Sequence, residues 1–244
     1  MIKVLINGID GHMGQMLLNQ INNTEGFTCI GGADKDKNIY DIKENADVII
    51  DFSIPTATMS MLEYAKERHI PAVIATTGFS DEQSQIIAEY SKEIPIFKSA
   101  NMSYETNLMI KLVSKLAQEL SNSDIEIVDV HHNRKIDSPS GTALMIADNI
   151  NKALDNSMHY EFDRHSKHAP RDKKEIGIHS LRGGTEVGKH SVFFFGDNES
   201  MEISHTVTSR AVFANGALKA AKFLVEQPAG LYDMNNLVWQ TYVN

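Results

Sequence analysis

Residues 2–14 read IKVLINGIDGHMG, and they set what fold to expect of the chain that follows. Ile2–Asn7 is a short apolar run of strand type. Gly8, Gly11 and Gly14 then punctuate a turn, and residues 15–21 carry apolar side chains at helical spacing. Strand, glycine turn and helix open a βαβ unit, a layout that can seat a phosphate at the helix N-terminus. The glycines stand at first, fourth and seventh positions, not the first, third and sixth of the commonest dinucleotide fingerprint. Glycine turns also simply join strands to helices, so the context has to decide.

Working outward, Phe27–Ala33 reads as a second strand, ending in Asp34 about twenty residues beyond Gly14. An acid there suits the hydroxyls of an adenosine ribose. A plain turn aspartate is the alternative, and Lys35 and Lys37 either meet a 2′-phosphate or stay solvated. Residues 46–52, 72–76 and 95–97 are three more apolar strands. Between them, residues 58–68 read as one helix, and Ser80 with Gln83 forms a capping box for another through Tyr90. Strands alternating with helices at this spacing imply a parallel sheet covered on both faces. Ser53, Thr76, Thr77, Gly78 and Asn101 fall at the carboxyl ends of its strands, where such sheets bind ligands.

The pattern changes after residue 102. Residues 107–120 form a strong amphipathic helix, while 176–181, 191–195 and 201–207 are successive strands without helices between them. That is α+β character, hence a second domain. Residues 213–225 return to a helical pattern suited to packing on the first domain. The expected class is α/β, a dinucleotide-binding parallel-sheet domain of residues 1–102 and 211–244, plus an α+β domain of residues 103–210. The polar, basic section 159–174 reads as solvated surface rather than a closing loop.

Composition bounds the partners. The 244 residues are 42 % apolar and 23 % charged, with a net charge of −9 spread along the chain. That field disfavours nucleic acid and anionic membranes. Cys29 is the single cysteine, so neither an internal disulfide nor a cysteine zinc site can form. No signal-peptide pattern and no apolar run near the roughly 20 residues of a membrane span are present, so a cytoplasmic location is expected.

The chemistry concentrates in residues 124–143, DIEIVDVHHNRKIDSPSGTA. An alternating strand leads into His131, His132, Lys135 and Asp137, then Ser140, Gly141 and Thr142 open a helix. A shared metal fits poorly, because adjacent strand residues point to opposite faces; no metal is assigned. A serine hydrolase would need a Gly-x-Ser-x-Gly elbow, which is absent. Satisfied core histidines are the bland alternative. Anion binding with proton transfer fits better. Amides around Ser140, Gly141 and Thr142 can face a carboxylate, Lys135 adds a charge, and His131 titrates near neutrality.

This stretch resembles the signature of the 4-hydroxy-tetrahydrodipicolinate reductase (dihydrodipicolinate reductase) family. Its Glu126, His131, His132, Lys135, Asp137, Pro139, Ser140, Gly141, Thr142 and Ala143 match, with Asp129 in place of the usual glutamate. The resemblance extends to the N-terminal glycine turn, Thr76-Thr77-Gly78, residues 99–103, Arg182-Gly183-Gly184, Val187 to His190 and residues 209–216. It implies a Rossmann domain, and an α+β domain that carries substrate and builds a homotetramer. It also implies an enzyme of the diaminopimelate–lysine pathway, with hydride transfer from NADH or NADPH to a small cyclic dicarboxylate. By motif position, His131 and Lys135 handle the proton, and His132, Lys135, Ser140, Gly141 and Thr142 hold carboxylates. The cofactor would meet Gly8, Ile9, Asp10, Gly11, His12 and Met13, then Asp34 and Lys35, Ala75, Thr76 and Thr77, and Ser99, Ala100, Asn101 and Met102.

The chain departs from the family pattern at His12, usually arginine, at Ala75, Met102, Glu105 and Thr106. Two rival readings remain. Another nicotinamide-dependent amino-acid dehydrogenase leaves the run from Lys135 to Thr142 unexplained. A nucleotide-binding regulatory protein without turnover has Glu105 in its favour and the intact His131 and Lys135 against it.

Overall fold

In the computed structural model, which describes residues 1–240, the turn of residues 8–11 sits between β1 (Ile2–Asn7) and α1 (His12–Asn22). Gly8 has φ +86°, and a Cβ there would come within 2.5 Å of the Phe52 carbonyl oxygen. Gly14 lets the first turn of α1 close onto the Gly8 carbonyl, which a Cβ would strike at 2.0 Å. These two glycines are therefore required by close approach, not by flexibility.

The chain divides into two compact units, one of Met1–Tyr104 with Ala211–Asn244 and one of Glu105–Arg210. The first is built on β1, β2 (Phe27–Ala33), β3 (Val48–Asp51), β4 (Ala72–Ile74) and β5 (Pro95–Lys98). A final strand, β11 (Gly230–Tyr232), adds beside β5, giving the order β11-β5-β4-β3-β1-β2, parallel throughout. Both faces are covered, as the unbroken apolar runs of β3 and β4 require. One core joins Val4, Ile6, Ile50 and Val73 to α1 and to α6 (Ala211–Leu224). The other joins Leu5, Ile49 and Ile74 to α2 (Pro55–Glu67) and α3 (Asp81–Tyr90).

Element edges shift from the sequence expectation for local reasons. The second helix starts at Pro55, not residue 58, because proline's fixed φ and missing N–H suit the first helical position. β4 stops at Ile74; Thr76 instead uses its hydroxyl to accept from the Ser53 amide at 2.9 Å. The Ser80–Gln83 capping box forms as expected.

The second unit carries α4, which runs Tyr104–Glu119 from the unit boundary, and α5 (Gly141–Ala153), with β6 (Asp124–His131), β7 (His159–Glu161), β8 (Glu175–Arg182), β9 (Gly188–Phe195) and β10 (Ser200–Val207). Its sheet is mixed, ordered β10-β9-β6-β8-β7, with β6 central, parallel to β8 and antiparallel to β9. Ile125 and Ile127 on β6 pack with Val113, Ile146 and Ile150 of the helices.

Most of the section 159–174 is exposed, in line with the expectation of a solvated surface, while Glu161 is buried and Arg164 and Arg171 are partly buried. It begins as β7, and its arginines bind acids of the sheet. Arg171 reaches Asp124 at 2.9 Å and Glu126 at 3.0 Å, and Arg164 reaches Glu126 at 2.8 Å and also pairs with Glu175. His179 adds a 2.8 Å contact to Glu126. Gly177, beside Glu126 in register, makes the room, since a Cβ there would overlap the Glu126 carboxylate. Arg164 and Arg171 are thus spent on acids of the sheet, while His165, His168, Lys173 and Lys174 stay exposed.

Candidate active site

The alternation of β6 places Ile125, Ile127, Asp129 and His131 on its buried face. Two apolar residues pack the core; the last two turn the same row into a polar site. Asp129 is fully buried. Its carboxylate accepts from Arg182 Nη1 at 3.1 Å, Arg182 Nη2 at 3.3 Å and the Ser140 amide at 2.9 Å. Burial alone would raise this carboxyl, but hydrogen bonds from Arg182, Ser180 and Ser140 outweigh it and hold it at about 2. His131 Nδ1 lies 3.4 Å from Asp129 Oδ2. Burial, then the nearby Lys135 charge, lowers the His131 pKa.

Cross-strand register supplies the neighbours. Arg182 of β8 stands opposite His131, and His190 of β9 opposite Asp129. The rings of His131 and His190 meet edge to face, with centroids 5.3 Å apart. His190 Nε2 and the Ser140 hydroxyl share a hydrogen bond of 3.0 Å. Burial and the proximity of His131 push His190 down to about 4, so it is neutral at pH 7.

Ser140 caps α5, its hydroxyl accepting from the Ala143 amide at 3.1 Å. Gly141 and Thr142 follow as the first helical residues, where helix amides and dipole favour an anion. Lys135 pairs with Asp137 at 2.8 Å in the loop before this helix. Lys135 first, and the Gly141 amide in smaller part, lower the Asp137 carboxyl. The helix start is thus already holding a carboxylate, one from its own loop.

In the other unit, a cavity of about 590 Å³ is lined by Gly8, Gly11, Asp34, Lys35, Ser53 and Ile54, among others. Gly11 is the N-cap of α1, with no side-chain cap and no acid in the first turn, so the helix start suits a phosphate. Asp34 accepts from the amides of Asp10 at 2.9 Å and Lys35 at 2.8 Å, which lower its carboxyl. Thr76, Thr77, Ser99 and Ala100 line a smaller cavity of about 220 Å³. Glycine turn, capless helix start and strand-end acid fit a dinucleotide.

A family model described as the N-terminus of dihydrodipicolinate reductase matches residues 2–102. A second, for the C-terminus of dihydrodipicolinate reductase, matches residues 106–238. The chain belongs to the dihydrodipicolinate reductase family. Among its relatives, the 4-hydroxy-tetrahydrodipicolinate reductase of Caldanaerobacter subterraneus subsp. tengcongensis is 48 % identical over 247 residues, with 98 % of each chain covered. That of Brachyspira hyodysenteriae is 48 % identical over 237 residues, covering 97 % of this chain and 100 % of the relative. The solved dipicolinate-bound dihydrodipicolinate reductase from Paenisporosarcina sp. TG-14 superposes with a TM-score of 0.81 at 25 % identity, covering 96 % of this chain and 99 % of that one.

Within this dihydrodipicolinate reductase fold, the residues singled out from sequence separate into three groups. His131, Lys135, Gly141 and Thr142 gather at the end of β6 and the start of α5, and the His132 amide just beyond β6 donates to the Glu186 carbonyl at 2.7 Å. Gly8, Gly11, Asp34 and Lys35 share the larger cavity, and Thr76, Thr77, Ser99 and Ala100 the smaller. His12 opens α1 and is exposed; Asp10 is exposed and pairs with Lys37 at 2.7 Å. Ile9, Met13, Ala75 and Asn101 are half-buried beside them.

Two of these residues are engaged within the protein. The Ser140 hydroxyl serves the cap and His190, its amide serves Asp129, and the residue is buried. Met102 is buried in the core with α6, its carbonyl pressed on Gly216.

Three residues were not singled out for the site: Asp129, Arg182 and His190. Asp129 was findable, since it stands two residues before His131 on a strand and must share its face. The donor atoms of Asp129, His131 and His190 lie within 4.8 Å of one another, a grouping that can hold a metal. Here Arg182 and the Ser140 amide take the carboxylate, and the Ser140 hydroxyl takes His190, while His131 Nδ1 makes no hydrogen bond to a described residue.

Proposed function

We propose that this chain reduces 4-hydroxy-tetrahydrodipicolinate to tetrahydrodipicolinate, using NADH or NADPH, in diaminopimelate and lysine biosynthesis. The observation that carries this is His131 and Lys135 meeting the N-terminus of α5, in a chain whose first unit carries a dinucleotide-type glycine turn. The balance is substrate plus NAD(P)H plus a proton, giving product, water and NAD(P)⁺. The bound reduced nicotinamide supplies the hydride; the protein must place the dicarboxylate and the proton.

Lys135 clamps one carboxylate with the amides of Gly141 and Thr142, and His132 contributes to the same site. His131 is the proton donor. Burial and the Lys135 charge lower its pKa, and two substrate carboxylates arriving nearby raise it again, because opposite charge favours the imidazolium. Substrate binding therefore loads the acid that the reaction needs, and a positioned acid contributes roughly 10²–10⁴-fold in rate. Asp34 meets the adenosine ribose, and the exposed Lys35 beside it accommodates a 2′-phosphate, so both cofactors serve.

We further infer a cytoplasmic homotetramer. No described helix is long and apolar enough to cross a membrane. On the outer face of the second sheet, Val130 stands opposite exposed Leu181, and Phe193 stacks on Phe195 with ring centroids 5.7 Å apart, among polar neighbours such as Glu126, His179 and Ser191. A sheet face that mixes apolar and polar side chains in this way suits a second copy of the chain. Light scattering on purified protein checks it; a monomer sinks the assembly, not the chemistry.

The activity is tested by generating substrate enzymatically and following NADH and NADPH oxidation separately. His131→Ala should chiefly lower kcat, and Lys135→Ala should lower kcat and raise the substrate KM. No turnover with either cofactor would refute the reading.

A further inference from the structure

We propose that Asp129 is a positioning residue that selects which nitrogen of His131 exchanges the proton. The proposal rests on the reductase reading above and goes beyond it by assigning a job to a buried acid that touches neither substrate nor cofactor in that scheme.

The geometry is specific. Asp129 and His131 share one face of β6, and Asp129 Oδ2 stands 3.4 Å from His131 Nδ1. Nδ1 is buried and makes no hydrogen bond to a described residue. A neutral imidazole carries one N–H, and a carboxylate behind Nδ1 draws that proton there. Nε2 then remains as the atom that picks up and delivers the transferable proton. Gly188 packs against Nε2, where a Cβ would stand at 3.1 Å, and His190 contacts the ring edge-on, so the imidazole is confined on those sides.

Asp129 is itself held rigidly. Arg182 grips both of its oxygens and donates to the Asp137 carbonyl at 2.8 Å; the Ser140 amide completes the set. Through these contacts one carboxylate fixes the strand bearing His131, the loop bearing Lys135 and the start of α5. The charged and titratable groups facing His131 are Asp129 from its own strand, Lys135 and Asp137 from the loop, Arg182 from β8 and His190 from β9. Lys135 and Arg182 oppose its protonation; Asp129 and Asp137 favour it. A buried acid serving only as a structural post would set the fold but not the imidazole's tautomer.

Side-chain ¹⁵N spectra of histidine-labelled protein, with the His131 signals assigned from His131→Gln, read the tautomer directly. Wild-type His131 should be Nδ1–H at neutral pH; an Nε2–H ring would overturn the proposal without any substitution at Asp129. In Asp129→Asn, which keeps size but loses charge, the Nδ1–H preference should weaken and the His131 titration should move to lower pH. Its kcat should fall about 10–100-fold, the size usual for losing a supporting partner, with the cofactor KM unchanged. Asp129→Glu, which restores the carboxylate, should return kcat to within a few-fold. A folded Asp129→Asn protein with wild-type tautomer, titration and kcat refutes the role. If the wild-type protein shows no turnover, the reductase reading falls, while the tautomer measurement still decides Asp129.

Discussion

Arg182 and Asp129 form a bidentate pair across two neighbouring parallel strands, with N–O distances of 3.1 and 3.3 Å, and the carboxylate is fully buried. The same guanidinium spends Nη2 on the Asp137 carbonyl. Strand, loop and helix start therefore meet at one ion pair.

Removing the cation should leave a buried carboxylate alone. Arg182→Met is expected to cost about 3–5 kcal/mol, the range for breaking a buried pair from one side, measured by urea unfolding at pH 7. In the wild type the Asp129 carboxyl is depressed to about 2, so its stabilisation is present above the ordinary carboxylate range and lost as pH falls toward 2. In Arg182→Met that carboxyl rises, so the deficit against wild type should narrow between pH 7 and pH 4. Arg182→Lys should recover only part, because a point charge cannot fork. An equal deficit at both pH values would contradict the pairing.

His190 predicts a separate acid sensitivity. It is buried and its pKa is lowered to about 4. A histidine depressed on folding contributes stability that is intact above its unfolded value near 6.5 and is lost as pH falls to about 4. That loss amounts to at most about 3 kcal/mol. His190→Gln, which keeps a polar atom near Ser140 but cannot titrate, should flatten the stability profile across this window. Thermal melts at half-unit pH steps decide it, and an unchanged slope would mean other groups carry it.

How much of this was legible in the sequence depends on the range of the contacts involved. The parallel sheet was readable because β3 and β4 are apolar without alternation, and the turn because Gly8, Gly11 and Gly14 punctuate a strand-to-helix step. The substrate-side stretch was readable because His131, Lys135 and the α5 start are close in sequence. Arg182 and His190 reach the site only through β-sheet register, 53 and 61 positions beyond Asp129. Ser140 looked available because its partner on β9 is equally distant. Met102 belonged to a core completed by α6, and Arg164 and Arg171 to acids on β6 and β8. In each case local chemistry was visible and the long-range partner was not.

Cofactor choice should be separable at one residue. Lys35 is exposed in the cavity that holds Asp34, while Lys37 is engaged with Asp10. Lys35→Ala should raise the NADPH KM about 2–5-fold, as loss of one solvent-exposed charge pair implies, and leave the NADH KM unchanged. Steady-state kinetics with each cofactor at saturating substrate makes the comparison. Equal effects on both would place Lys35 away from the 2′-phosphate.

Asp137 stands where the proposed function would seat a substrate carboxylate. Its carboxylate pairs with Lys135 at 2.8 Å and draws on the Gly141 amide, the same two partners proposed for the ligand. A dicarboxylate must displace it, and the displaced pair is half-exposed, so the competition is worth at most about 1 kcal/mol. Asp137→Asn should then tighten binding of dipicolinate by about 2–5-fold in calorimetric titration, with most of the gain at low ionic strength, where exposed charges are least screened. Weaker binding would show instead that Asp137 holds Lys135 in its working position, making the acid part of the site rather than its rival.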